Sequence, residues 1–571
     1  MAAFRKVFLA LVVVALAAAT ASAQVICTGG ASPKIVRTEG LTELLGDIVL
    51  SCNITAGTPA SSFNIQVTLN TNATSPFGGT GDPQVDAVLV VTQALATPIR
   101  GIKASDTTVS FLSVPIAASP LASTATIQIS NLRGNASGLA VGSAITAFVS
   151  SSGGGATTLT ISNNTFTVGS TSSSVTFRAR NTINDTTQAF TGLQCAATNG
   201  DLFSDATKTN QTLSGNLQFQ EQQQSAFKTA ADEVGNYTAA GFGAVTNGTR
   251  LKATFNNVPA NVALFVTTRD VENGTTAFAA AAKAVLVGAD STGAGGTATA
   301  YTEVDAGCLA LTAACGPAGS GGDARVSSTV LRRYRIQQLT VSNGSATAVW
   351  EIVSTNANAA EDISFGFATA FKAGQPALGT ATVNGGLAPI STVKLPAVLS
   401  TPPAGQPVPR FADTSSATNV FTLNPCATNL LFPYVTNQAG FDTGLVVSNT
   451  SSDPFGTSGQ AGTCTLNYYG ATTGGGAAPA AVTTQSVPAG GQLVWTLSSG
   501  GNLGATATPG FQGYVIAQCQ FRFGHGFAFV SDVGARNLAM GYLPLVMDGD
   551  GIATSLGAKR DTKTNGEIFG N

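Results

Sequence analysis

The chemistry open to this chain is bounded first by its imidazoles. A Ser-His-Asp or Cys-His arrangement needs a base to take the nucleophile's proton, and the sequence holds one histidine. His525 stands in Phe523-Gly524-His525-Gly526-Phe527, where the flanking glycines read as a bend between two Phe-rich strands, with no serine in a strained elbow beside it. Zinc and iron centres draw on several imidazoles or clustered thiolates, so a histidine-based metal site fails on the same count. Carboxylates are harder to dismiss, because two acids distant in sequence can meet across a glycosidic bond. The 29 acids are scattered, and none stands in a recognisable motif. Asp548-Gly549-Asp550-Gly551 could offer oxygens to calcium, but it lacks the later ligands and terminal Glu of an EF-hand loop and reads more simply as a tight turn. No cofactor-binding motif is present.

Eight cysteines follow at 27, 52, 195, 308, 315, 426, 464 and 519, with no C-x-x-C pair among them. An even number in an exported chain favours disulfides. Proximity pairs Cys27 with Cys52, Cys308 with Cys315 and Cys464 with Cys519, and the remainder would join Cys195 to Cys426; buried free thiols are the alternative. Aromatic chemistry is similarly sparse, with 30 Phe against 8 Tyr and 2 Trp. Both tryptophans alternate with apolar neighbours and are expected in cores. Tyr468-Tyr469 is the candidate ligand platform, since adjacent strand residues face opposite sides and one ring must point outward.

The elements that position these groups are strands. In Phe63-Asn64-Ile65-Gln66-Val67-Thr68-Leu69-Asn70 apolar and polar residues alternate without a break, placing Phe63, Ile65, Val67 and Leu69 on one buried face. The same period of two recurs at Val175, Phe177 and Ala179, at Leu251, Ala253 and Phe255, and through Cys464, Leu466 and Tyr468, Leu493, Trp495 and Leu497, and Val515, Ala517 and Cys519. Leu339 and Val341 lead into Asn343-Gly344 and on to Ala348 and Trp350, the pattern of a hairpin with a tight turn. The stretch Leu217 to Val234 reads as one helix or a long loop. These signals predict an all-β chain of tandem antiparallel β-sandwiches, immunoglobulin-like in architecture, with a Cys464–Cys519 bridge crossing between facing sheets near Trp495.

Arg5 and Lys6, the apolar run Val7 to Ala19 and the small-x-small triplet Ala21-Ser22-Ala23 predict a cleaved signal peptide over 1–23; an uncleaved anchor is the alternative. The division expected after it is an N-terminal sandwich over 24–182, middle β-rich units over 183–384, a Pro-rich linker over 385–419, a C-terminal sandwich over 420–556 and a polar tail over 557–571. An echo of Val67-Thr68-Leu69 followed by Pro76-Phe77-Gly78 in Leu445-Val446-Val447 followed by Pro454-Phe455-Gly456 suggests a repeated β unit. Only 10% of residues are charged, against an ordinary share of about 25%. Removal of the leader leaves 25 basic and 29 acidic residues, a net charge of −4, so there is no basic field for nucleic acid or anionic lipid. Arg332-Arg333-Tyr334-Arg335, the one dense positive patch, would split between two faces of a strand and protect a sheet edge. The triplets at Asn72, Asn184, Asn236 and Asn273 would carry glycans only in a host with the transferase.

The stretch from Val36 to Cys52 (VRTEGLTELLGDIVLSC), together with that from Phe432 to Gly444 (FPYVTNQAGFDTG), resembles segments of uncharacterised exported proteins of soil-dwelling acidobacteria. The resemblance implies secretion and β structure, and carries no catalytic residue. The reading is a secreted or surface-held structural or adhesive protein facing a cell-surface polymer or other surface proteins, without a membrane span in the mature chain. An extracellular carbohydrate- or protein-binding module is the alternative, and a carboxylate glycosidase stands behind both.

Overall fold

In the computed structural model the described residues are 23–78, 82–93, 98–181, 189–194, 214–237, 245, 247–271, 283–288, 336–371, 377–390, 408–454 and 459–547. They form three successive units of β-strand, each built on one apolar core. The chain is all-β, as its period-two pattern predicts.

The first unit contains β1 (Gln24–Ala31), β2 (Lys34–Arg37), β3 (Glu43–Leu44), β4 (Ile48–Ile54), β5 (Ser61–Leu69), β6 (Gln84–Val91), β7 (Ile99–Lys103), β8 (Thr108–Ile116), β9 (Ser123–Ser130), β10 (Arg133–Gly134), β11 (Ala144–Gly153), β12 (Thr158–Ser162) and β13 (Thr165–Ser172). Eleven of these pair in the order β12-β1-β4-β9-β6-β7-β8-β5-β11-β13-β2, and β3 and β10 pair separately. Both ends of this path feed one core, in which Cys27, Leu50 and Ile127 meet Ile65, Val149 and Val168. Phe63, Ile65, Val67 and Leu69 all lie in it.

The second unit comprises β14 (Val175–Asn181), β15 (Phe190–Leu193), β16 (Gly215–Glu221), β17 (Arg250–Asn256), β18 (Ala263–Thr267), β19 (Ala284–Gly288), β20 (Ile336–Leu339), β21 (Ala346–Ile352), β22 (Asp362–Ala370), β23 (Gly379–Ala388) and β24 (Ala417–Asn424), with the short helix α1 (Ala230–Glu233). A five-stranded sheet, β14-β16-β22-β18-β20, and a six-stranded sheet, β15-β24-β23-β17-β21-β19, enclose a core where Trp350 stacks on Phe365 at 4.0 Å. Trp350 Nε1 donates to the Thr267 carbonyl at 2.9 Å, satisfying its one polar atom in an apolar interior.

The third unit holds β25 (Thr428–Thr436), β26 (Asp442–Asn449), β27 (Cys464–Thr472), β28 (Gly476–Ala477), β29 (Val482–Thr483), β30 (Gln492–Thr496), β31 (Gly500–Gly501), β32 (Phe511–Cys519), β33 (Gly524–Ser531), β34 (Ala539–Tyr542) and β35 (Leu545–Met547). Its sheets run β28-β27-β32-β25-β35, with β29 beside β27, and β31-β30-β26-β33-β34. Phe432 and Trp495 meet edge to face between them.

Several expectations change. The segment 385–419 is not a free linker at either end: Gly385 to Ala388 lie in β23, Val408, Arg410 and Phe411 are buried, and β24 pairs along β23. Proline-rich composition marked a break in strand, not a break between units. The third unit therefore begins after β24 and not at 420, and the second begins at β14, because Val175–Asn181 pairs with β16. Leu217 to Val234 is mostly strand and turn; Leu217 and Phe219 alternate into the core of β16, and only four residues are helical. Asn343 and Gly344 do adopt positive φ (51° and 72°), as a tight turn requires. The turn passes the chain between sheets, however: β20 pairs with β18, while β21 pairs with β17 and β19. His525 lies within β33, exposed and opposite Ser448, and the bend falls earlier, at Phe523 with φ 59°.

Candidate functional site

Two of the expected disulfides are formed, Cys27–Cys52 and Cys464–Cys519. Each joins residues directly opposite in adjacent antiparallel strands, β1 with β4 and β27 with β32. The bridge in the third unit therefore lies within one sheet and does not span two, which corrects the immunoglobulin-style placement. Alternation placed both cysteines on apolar faces but could not say which strands were neighbours. Cys426, in the three-residue connector from β24 to β25, is disulfide-bonded, and no cysteine among the described residues is free. Cys195, Cys308 and Cys315 lie outside the described residues, as do Asp548, Asp550, the Arg332–Arg335 patch, Asn184, Asn273, Phe455 and Gly456.

Tyr468 and Tyr469 divide as the strand pleat demands. Tyr468 is 5% exposed and packs against Phe511, and burial pushes its hydroxyl pKa up to about 12. Tyr469 is 44% exposed and stacks on Tyr514 of β32 at 5.0 Å with ring planes 15° apart. This pair is a small outward aromatic platform on the β27/β32 face.

The acids that come together do so in the interior and are engaged. Glu221 accepts from the Phe227 and Glu361 amides, while Glu361 accepts from the Asn356 amide and pairs with Lys283 at 2.9 Å. Burial, and then the charge of Glu361 against the opposing amide bonds, leaves Glu221 above its ordinary range. Arg250 pairs with Glu351 at 2.8 Å. No group of three or more His, Cys, Asp or Glu close enough to hold a metal occurs among the described residues.

The most heavily built polar site sits where the first unit meets the second. Arg37, fully buried at the end of β2, donates through Nε to Glu43 at 2.8 Å, through Nη2 to Glu233 of α1 at 2.6 Å, and through Nη1 to the Ala226 carbonyl and Thr249 Oγ1. Its guanidinium also lies 4.7 Å from the centre of the Phe411 ring. Arg133 of β10 donates to the Thr42 and Glu233 carbonyls, with its Nη1 3.8 Å from the Glu233 carboxylate. Thr229 caps α1 and exchanges bonds with Asp232, which fixes the one turn that presents Glu233.

Electrostatics follow from this packing. Burial alone would raise the pKa of Glu233, but Arg37, Lys228 and Arg133 outweigh it and hold the carboxyl down at about 2. Burial would likewise lower Arg37, and Glu233 and Glu43 reverse it, so the guanidinium is held charged. Backbone contacts extend the junction: Leu41 N donates to Arg410 O, Ala412 N to Glu39 O, and Gly40 forms a β-bridge with Phe411. Ser174, in the two-residue connector between β13 and β14, donates to Glu39 at 2.6 Å, and Asn131 exchanges bonds with the Tyr237 backbone. Sequence reasoning missed this cluster. The available signal was the placement of scarce charges, such as Arg37 and Arg133, inside apolar strand ends.

No protein-family model matches the chain, and no curated protein matches it. Among solved structures, it is similar to the C-terminal domain of the Streptococcus agalactiae AgI/II polypeptide BspA at 10% identity, covering 69% of this chain and 99% of that one with a TM-score of 0.24. The full-length major pilin SpaD of Corynebacterium diphtheriae aligns over 89% of this chain and 86% of its own, at 8% identity and a TM-score of 0.18. The CupB6 tip adhesin of Pseudomonas aeruginosa aligns over 64% and 95%, at 8% identity and a TM-score of 0.14. At such scores the similarity says nothing of what this chain binds. No helix among the described residues is long and apolar enough to cross a membrane.

Proposed function

We propose that this chain is an exported building block of the cell exterior, structural or adhesive, whose task is to hold β units in a fixed arrangement. The observation that carries the reading is the buried junction around Arg37 and Glu233, which turns the first two sandwiches into one body in place of two beads on a tether. Units closed by cross-strand disulfides and joined this way add length and stiffness, and disulfides persist in oxidising compartments. The leader-like first residues and the small charged fraction support the same setting. The test is labelling of intact producing cells with a membrane-impermeant amine reagent. The chain is expected in the labelled surface fraction or in the medium; confinement to the cytoplasm would reject the reading.

A second reading, that the chain is a binding module, is favoured by the exposed Tyr469–Tyr514 stack. Parallel rings on a flat sheet face suit the apolar face of a sugar or an aromatic side chain of a partner protein.

A further inference from the structure

Beside the buried junction lies an open cleft of about 640 Å³, within the range of small-molecule sites. Thr28, Lys34, Asp47, Ser51 and Gln128 of the first unit line it, and Asn236, which follows α1 in the second unit, closes one side. Asp47 is fixed there: its Oδ2 accepts from Gln128 Nε2 at 3.0 Å, Ser130 Oγ at 2.9 Å and Asn236 Nδ2 at 2.8 Å. Its Oδ1 accepts from no group among the described residues, so the carboxylate is oriented and still has acceptor capacity. The Lys34 ammonium, half-buried at the start of β2, makes neither an ion pair nor a hydrogen bond among the described residues. Burial, the nearby positive charges of Lys228 and Arg133, and only partial compensation from Asp47 and Glu233 push its pKa down. A cation so placed gains from an anionic partner. Gly30 lines the same cleft, and a Cβ there would meet nothing within 4 Å.

We infer that this cleft binds an acidic sugar, a hexuronate residue of a polysaccharide, with its carboxylate on Lys34 and its ring hydroxyls on Asp47 Oδ1 and the Ser51 and Thr28 hydroxyls. One half-buried cation, one oriented acceptor and neutral hydroxyls around them match a ligand bearing one carboxylate among several hydroxyls. The inference deepens the proposed exterior role by naming the polymer class. It fails separately from that role, because sugar binding is measured on purified protein and surface location on cells.

The test is calorimetric titration of the full mature chain with a galacturonate trimer and, in parallel, a neutral galactose trimer. The wild type is expected to bind the acidic trimer at least about tenfold more tightly, and Lys34→Gln to remove most of that preference. Gly30→Tyr, which fills the cleft without meeting a neighbour at Cβ, is expected to weaken binding about tenfold or more while leaving the melting temperature unchanged. It decides the matter if Lys34→Gln fails to fold. Equal affinity for the two trimers, no binding up to millimolar concentration, or undiminished binding by folded Gly30→Tyr would overturn the inference.

Discussion

Replacing Glu233 with glutamine probes the junction most sharply. The carboxylate is fully buried, 2.6 Å from Arg37 Nη2 and 3.8 Å from Arg133 Nη1, and Lys228 adds to the positive field around it. Of three cations and two acids, the variant removes one acid and leaves a cluster with two uncompensated charges. Moving a carboxyl from its ordinary 4.5 to about 2 corresponds to about 3 kcal/mol of favourable interaction. Breaking a buried ion pair from one side costs about 3–5 kcal/mol by mutational experience. Gln keeps an acceptor for Arg37, and Glu43 stays in place at 2.8 Å, so the lower figure is expected. The assay is native-state hydrogen exchange, because the loss belongs to the opening of segments 37–44 and 226–237 and not to any one sandwich core. Opening of those segments should become easier by about 3 kcal/mol, with the Trp350 and Trp495 cores unaffected. Adding Lys228→Met, which restores the cluster's charge balance, should recover part of the loss. A change below about 0.5 kcal/mol, within the range of an ordinary surface substitution, would refute the reasoning.

The same carboxyl sets an acid response. Because its folded pKa lies below its unfolded one, its contribution is present above pH 4.5 and is lost as pH falls from there toward 2; the opening free energy of the junction, taken from exchange after correction for the intrinsic pH dependence of amide exchange, should fall across that window and stay level between pH 5 and 8. Glu221, shifted upward by burial, has the opposite sign and gains on protonation, so the second core should loosen less than the junction. Reducing Cys27–Cys52 or Cys464–Cys519, which close loops of 25 and 55 residues, should cost about 3.5 and about 4 kcal/mol in denaturant titrations of the respective units. Tyr469→Ala should change stability by less than about 1 kcal/mol, since the ring is exposed, yet weaken any aromatic or sugar ligand of that face in a pull-down; unchanged capture would remove the platform from consideration.

Strand content was legible because burial on one face of a sheet writes a period of two into the chain; Phe63 to Leu69 and Cys464 to Tyr468 are plain cases. Pairing was not, since alternation says which face a residue takes and nothing about which strand lies alongside. That is why Asn343-Gly344 could be read as a turn but not as a turn between sheets, and why Cys464 and Cys519 were matched correctly yet placed across the sandwich. Proline density misled between 385 and 419 because the break it marks falls within one unit, between β23 and β24. The buried cluster was hidden for a different reason: Arg37, Arg133 and Glu233 are separated by about a hundred residues each, and only the docking of two units brings them together. The Lys34–Asp47 cleft is hidden in the same way, with Asn236 supplied from across the junction.

The central claim, that the first two units are one rigid body, is tested most directly by single-molecule energy transfer between dyes at Val141→Cys and Leu378→Cys, exposed positions on the first and second units. A single narrow distance distribution, broadened by Glu233→Gln, is the result expected here. A broad wild-type distribution, of the width a flexible tether gives and unaltered by that substitution, would contradict it.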